Sequence, residues 1–368
     1  MKAHIRRSPL ALGLKLVGGA LVTAIFLLLF NMKQQEDAIA VYQQPKIGLM
    51  LYGGRDEAGW NRQHFAGVTA AARRMGIEVE VRDNVTFVPG RDSIALKQLA
   101  AQGCDFTVAT SSDFSKAVTQ LHADGSRMAV AVPKLDEKML DAVPYFVRLY
   151  EGEYLAGILA GLETKTGLLG YVASTRNAEV CRSVNAFLLG ARETRPDVRV
   201  LVAFVGSWSN PAAERQAAAR LVARGADILN SHQDTMTVQA YADEHGIPFF
   251  DYLEPYPTGS GLNLATVSCR WDMVYEAMLH DYLEGRFRSM YWIGIENNAV
   301  GLNNFSPRVS EAARERVQAE ESRLRENGSV FSDEIYDRDG MLRLRAGESL
   351  SDAALINLDW YAEGVDFL

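Results

Sequence analysis

Residues 150–173 read YEGEYLAGILAGLETKTGLLGYVA, and this stretch decides the fold. Its first part, Glu153 to Thr164, is strongly apolar, as expected of a helix buried among other elements. Gly167 leads into Leu168 to Ala173, an apolar run of strand length. A buried helix feeding a buried strand is half of a βαβ unit, whose parallel strands are covered on both faces. Gly152, Gly157 and Gly161 recur at five- and four-residue spacing, which marks close helix packing.

The same alternation extends outward in both directions. Upstream, Lys46 to Tyr52, Ile77 to Val81, Asp105 to Ala109 and Met128 to Val132 read as strands. Helices are expected between them at Gln63 to Met75, Asp92 to Gln102 and Phe114 to Ala123, with Gly76, Gly103 and Gly125 as their stops. The pattern restarts after Tyr145 to Arg148. Downstream helices are expected at Glu179 to Arg192, Pro211 to Arg224 and Thr237 to His245. Strands fall at Arg199 to Val205, Ala226 to Asn230 and Ile247 to Asp251. Two successive βαβ series predict an α/β protein of two similar lobes with parallel sheets and a cleft between them. Ligands in such sheets bind at the carboxyl ends of the strands, so the loops there are where a site is sought.

The tail differs. Ser306 to Asn327 is a charged helix with Pro307 in its first turn. Ser332 to Tyr336 and Met341 to Arg345 predict a hairpin around Asp339 and Gly340. A last helix is expected after Gly347, reaching Trp360 and Gly364.

The N-terminus carries Lys2, Arg6 and Arg7 ahead of an apolar run from Pro9 to Phe30 broken only by Lys15. Leu16 to Phe30 alone falls short of the ~20 residues that span a bilayer. With Leu10 to Leu14 included, and Lys15 snorkelling to the headgroups, the run is long enough. Residues 1–44 therefore read as a signal anchor with a cytoplasmic N-terminus plus a linker. The alternative is a signal peptide cleaved after Ala40. These residues hold five basic and two acidic side chains, leaving 33 Lys+Arg against 44 Asp+Glu, a net of −11, in the remainder. Such a charge opposes nucleic acid and anionic lipid surfaces. Cys104, Cys181 and Cys269 lie far apart, with no CxxC spacing, and read as small core residues.

Catalytic motifs are absent from the sequence: it has no GxSxG elbow, no HExxH and no P-loop lysine pattern, and its histidines lack metal-ligand pairing. The loops are richer. Gly53 to Asn61 follows the first strand, with glycines that admit close backbone approach, Trp60 as a flat stacking face, and Asp56 and Asn61 as hydrogen-bonding partners. A turn with its tryptophan packed on the helix below is the competing reading. Thr110 to Asp113 serves as a polar loop or as a helix cap. Trp208, in Gly206 to Asn210, is either a cleft wall or an interlobe packing residue. Ser231 to Thr235 carries His232 and Asp234, and Asp251 ends its own strand. Arg148 and Glu151 are either an ion pair or ligand contacts.

Residues 148 to 192, with YEGEYLAGILAGLETKTGLLGYVA followed by EVCRSVNAFLLGAR, resemble the basic membrane protein family of ABC-transporter substrate-binding proteins. GSWSNPAAERQAAARLVARGADIL, the HQD after it, and GESLSDAALINLDWYAEGVD continue the likeness. The resemblance covers most of residues 46–368 and implies a type I periplasmic binding protein, with a purine base or nucleoside as ligand, ABC permease subunits as partners, no cofactor and no catalysis. A monomer is expected, and a ligand-sensing module for a membrane partner is the alternative role. Lobe 1 is expected at 45–148 with 270–318, and lobe 2 at 149–269 with 319–368. Carried over by position, the family's first-loop acid and aromatic-Asn pair fall on Asp56, Trp60 and Asn61, and later contacts near Ser111, Glu179, Trp208, Asp234 and Asp251. Trp208 and Trp271 are placed to close the sugar space, which favours a free purine such as adenine. The chain departs from the family in lacking a lipid-acceptor cysteine after the apolar run, and in an extra residue before Trp60.

Overall fold

The computed structural model describes residues 25–32, 45–57, 59–85, 90–135, 142–257, 259–326 and 328–368. Residues 25–32 are helical and exposed, and the remainder of the expected anchor lies outside the described residues. No helix among the described residues is long and apolar enough to cross a membrane.

Short buried strands alternate with helices from residue 46 onward. The first series runs β1 (Lys46–Met50), α1 (Trp60–Met75), β2 (Glu78–Arg82), α2 (Arg91–Ala101), β3 (Phe106–Ala109), α3 (Ser115–Ala123), β4 (Ala129–Val132) and β5 (Val143–Val147). The second runs α4 (Leu149–Glu163), β6 (Leu168–Ala173), α5 (Ala178–Arg192), β7 (Arg199–Phe204), α6 (Pro211–Ala223), β8 (Ile228–His232), α7 (Thr237–Glu244), β9 (Phe249–Tyr252) and β10 (Asn263–Cys269). Then come α8 (Trp271–Leu283), β11 (Tyr291–Ile293), β12 (Val300–Asn303), α9 (Glu311–Arg325), β13 (Ile335–Tyr336), β14 (Leu342–Leu344), α10 (Asp352–Ile356) and β15 (Val365–Phe367).

These strands form two larger sheets. One has the order β11-β5-β4-β3-β1-β2 and is parallel throughout. The other has the order β12-β10-β9-β8-β6-β7-β15, parallel except for the β10–β12 pair. β13 and β14 pair as the hairpin that the Asp-Gly signal predicts.

The opening stretch behaves as its glycines predict. α4 is buried along almost its whole length and lies against α5 at backbone contact. A Cβ on Gly157 would stand 2.1 Å from Phe187 O, and one on Gly190 would stand 2.0 Å from Tyr154 O. Any larger residue would force the two helices apart.

The chain passes between the sheets after β5, after β10, and between β11 and β12. These passages are tied together: Arg148 N donates to Ile293 O at 2.9 Å, and Arg270 N to Ala299 O at 2.7 Å. Glu151 accepts from Ile295 N at 2.7 Å, and Arg148 grips both oxygens of Asp352 while lying over Trp292. Burial pushes the Glu151 carboxyl up to about 7. Both residues are therefore fastenings of the crossover, which answers the question their sequence left open.

Two expectations are corrected. Residues 270–318 do not all accompany the first sheet, because β12 is hydrogen bonded to β10 in the second. The terminal helix stops at Ile356. Beyond it the chain is held in irregular form by α5: Asn185 donates to Trp360 O and accepts from Ala362 N, and Cys181 Sγ donates to Trp360 O. Those side chains satisfy backbone groups that a helix would have paired internally, and β15 then joins the edge of the second sheet beside β7.

Candidate functional site

The strand-to-helix loops of both sheets meet around a cleft of about 660 Å³, within the size range of small-molecule sites. The first sheet contributes Tyr52, Glu57, Trp60, Asn61, the run 110–113, Pro133 and Phe146. Thr175, Glu179, the run 206–209, His232, Asp234 and Tyr252 come from the second. All follow or end strands at their carboxyl ends, as the α/β rule requires.

Trp60 opens α1 directly after Gly59, whose φ of +82° and ψ of −131° suit glycine alone. A Cβ there would also come within 3.1 Å of Asp234 O, so the two walls nearly touch at this point. The indole is fixed from several sides. Its Nε1 donates to Thr110 O at 2.7 Å, its ring stacks at 29° on Phe146, and its other edges meet His64 and Trp271. Behind it His64 is fully buried and bonded to the Tyr275 hydroxyl, and burial holds its ring well below the usual histidine range. A neutral aromatic block thus backs the Trp60 face.

Asn61 pins the same loop, accepting from Gly53 N and donating to Glu57 Oε2, both at 3.1 Å. The turn closed by Glu57 N on Gly54 O brings Glu57 to the cleft and leaves Asp56 outside it, exposed. Ser111 caps a single 3-10 turn, accepting from Asp113 N at 3.3 Å, and lines the cleft as well.

On the opposite wall the loops are bound to one another. Asp234 N donates to Trp208 O at 2.8 Å, and the Trp208 ring lies 5.6 Å from that of His232. His232 Nε2 meets Glu179 Oε1 at 3.2 Å, and Tyr252 packs against the far side of the imidazole. Asp234 faces solvent in the cleft yet is walled on several sides. That partial desolvation pushes its carboxyl up to about 6, opposed by His232 and reinforced by Glu179, Glu214 and Glu57. No side chain among the described residues donates a hydrogen bond to it. The cleft is fastened at one side by Arg62 and Gln63 of α1, which both bind Glu254 in the loop after β9.

Of the residues singled out in the sequence, Trp60, Asn61, Ser111, Glu179, Trp208 and Asp234 line this one cleft. Asp56, Asp251 and Trp271 do not. Asp251 is fully buried and closes the following loop, accepting from Tyr256 N at 3.1 Å and from Asn263 and Thr266 at 3.3 Å. Its neighbour Tyr252 takes the cleft position, as alternation along a strand dictates. Trp271, 2 % exposed, stands behind Trp60 in the aromatic block and cannot close a sugar space. His232, named in its loop but not among the expected contacts, and Glu57, Phe146 and Tyr252 also line the cleft. The His232–Asp234 spacing at a strand end was the available signal for the first, whereas Phe146 sits in a strand that reads only as core.

Two mostly parallel α/β sheets facing one another across such a cleft define a type I periplasmic binding protein. The chain belongs to the family of PnrA-like ABC transporter substrate-binding proteins, which it matches over residues 44–334. It is therefore a binding protein and not an enzyme. It is 27% identical over 338 residues to a purine-binding protein of Brucella abortus, covering 87% of this chain and 93% of that one. Over 182 residues, about half of either chain, it is 32% identical to a Haloferax volcanii protein named for glucose binding in an ABC transporter. Among solved structures, an ABC transporter solute-binding protein of Conexibacter woesei superposes with a TM-score of 0.64 at 18% identity, covering 77% of this chain and 97% of that one.

Proposed function

We propose that this protein captures a purine base or nucleoside on the extracytoplasmic side of the membrane and delivers it to an ABC permease, held there by its N-terminal apolar segment. The observation that carries this reading is the pairing of Trp60 and Trp208, from opposite walls of one cleft, with the Asp234 carboxylate beside them taking no side-chain donor among the described residues. Tryptophan faces suit a flat heteroaromatic ring. A carboxylate in a partly desolvated cleft calls for ligand N–H or O–H groups, as a purine edge or a ribose supplies. The purine-binding relative of Brucella abortus supports the same ligand class. With Trp271 withdrawn behind Trp60, neither base nor nucleoside is favoured by shape.

Native mass spectrometry of the purified protein, followed by calorimetry with adenine, adenosine, guanosine and glucose, tests the proposal. A co-purified purine and saturable purine binding are expected. Glucose binding with no purine binding would refute it.

A further inference from the structure

The charge of the cleft is one-sided. Glu57, Asp113, Glu179 and Asp234 line it, and among the described residues no lysine or arginine does. Guanidiniums on the flanking loops are engaged elsewhere: Arg55 on Asp83, Arg62 on Glu254, and Arg176 over the rings of Phe204 and Phe367.

Helix N-termini at the strand ends would ordinarily offer an anion site. On the second sheet's wall the protein answers them itself, whereas α1 begins at Gly59 with no side-chain cap and no acidic first turn. Glu179 occupies the first turn of α5. On α6, Asn210 accepts from Ala213 N while Glu214 accepts from Asn210 N. On α7, Thr235 Oγ1 accepts from Thr237 N.

His232 adds an independent sign. It is 1 % exposed and lines the cleft, and its Nδ1 has no partner among the described residues. A carboxylate only accepts, so the Glu179 contact places a proton on Nε2. That leaves Nδ1 as the ring's open polar position. Around it the cleft carries hydroxyls, an indole and carboxylates, but no ammonium or guanidinium among the described residues.

Resting on the purine reading, we propose that the cleft is charge-selective: it admits neutral or cationic purine derivatives and rejects phosphorylated ones. A phosphate brought between these walls meets several carboxylates and, among the described residues, no lysine or arginine to offset them.

Calorimetry in the presence of EDTA compares adenosine with adenosine monophosphate. The monophosphate should bind on the order of a hundredfold more weakly. Both added salt and Asp234→Asn should narrow that ratio severalfold, because no side chain among the described residues donates to the Asp234 carboxylate. Equal affinities, or a ratio that neither change moves (a steric effect alone), would overturn the proposal. A second measurement is independent of any ligand. The Trp208 emission, isolated as the difference between the wild type and Trp208→Phe, should be quenched more by caesium than by iodide, with each ion's constant divided by its value for free N-acetyltryptophanamide. A ratio for iodide equal to or above that for caesium would overturn the charge filter even where purines bind. Failure of all purines to bind, with caesium still favoured, would sink the purine reading and leave the filter standing.

Discussion

Replacing Trp60 tests the cleft directly. Its indole is held by the Nε1 bond to Thr110 O, the stack on Phe146 and the edge contacts with His64 and Trp271, so its cleft face is presented without further ordering. A ligand ring laid on that face would hide about 50 Å² of apolar surface, roughly 1.2 kcal/mol at ~25 cal/mol per Å². Stacking adds about 0.5–1.5 kcal/mol. Trp60→Ala should therefore weaken purine binding by roughly 1.7–2.7 kcal/mol, some 20- to 100-fold. Trp60→Phe keeps a ring but gives up the bond to Thr110 O, and the expected loss is about tenfold or less. Calorimetry supplies the affinities. Thermal melts in parallel show whether the cavity left beside His64 and Trp271, a change that costs about 3–5 kcal/mol in cores, has cost the fold. A folded Trp60→Ala variant with wild-type affinity would refute the reasoning and return Trp60 to a packing role.

Asp251→Asn should lower stability while changing base and nucleoside affinities alike, since Asp251 closes a loop away from the cleft; a selective loss of nucleoside binding would restore it to the site. Glu153 is fully buried between Tyr171 and Asn230, and burial pushes its carboxyl up to about 7. Its proton therefore stabilises the fold fully below about pH 4.5 and the benefit fades as pH rises through 7, so Glu153→Gln should flatten that decline by up to ~3 kcal/mol in denaturant titrations at pH 5 and 8. An unchanged pH slope would count against it. The full-length protein should remain in the membrane pellet after a high-salt wash, and recovery of a soluble form beginning at Val41 would show cleavage after Ala40 instead.

How far the sequence could be read follows from which forces are local. Apolar runs of strand length bounded by glycine stops report on neighbours within a few residues, and those strands and helices appear where expected to within a few positions. The glycine spacing in 152–161 was legible because a missing Cβ has one main use in a helix, and Phe187 O occupies the space it leaves. Side-chain direction at loop ends is not local in this sense. Asp56 and Glu57 are chemically alike in the sequence, and a single turn hydrogen bond from Glu57 N to Gly54 O decides which of them meets the cleft. Asp251 and Tyr252 are separated by one residue of strand alternation. Trp271 was drawn to the site by its type, yet it is the fixed block behind Trp60 that keeps the other indole in place. The terminal segment was misread for the same reason: its apparent helix competes with Cys181 and Asn185, more than 170 residues earlier in the chain, for the same backbone groups. The cleft's shortage of cations is likewise invisible to composition. A chain with 38 basic side chains has engaged those near its binding loops in ion pairs and on aromatic faces, and among the described residues the cleft lining holds carboxylates but no lysine or arginine.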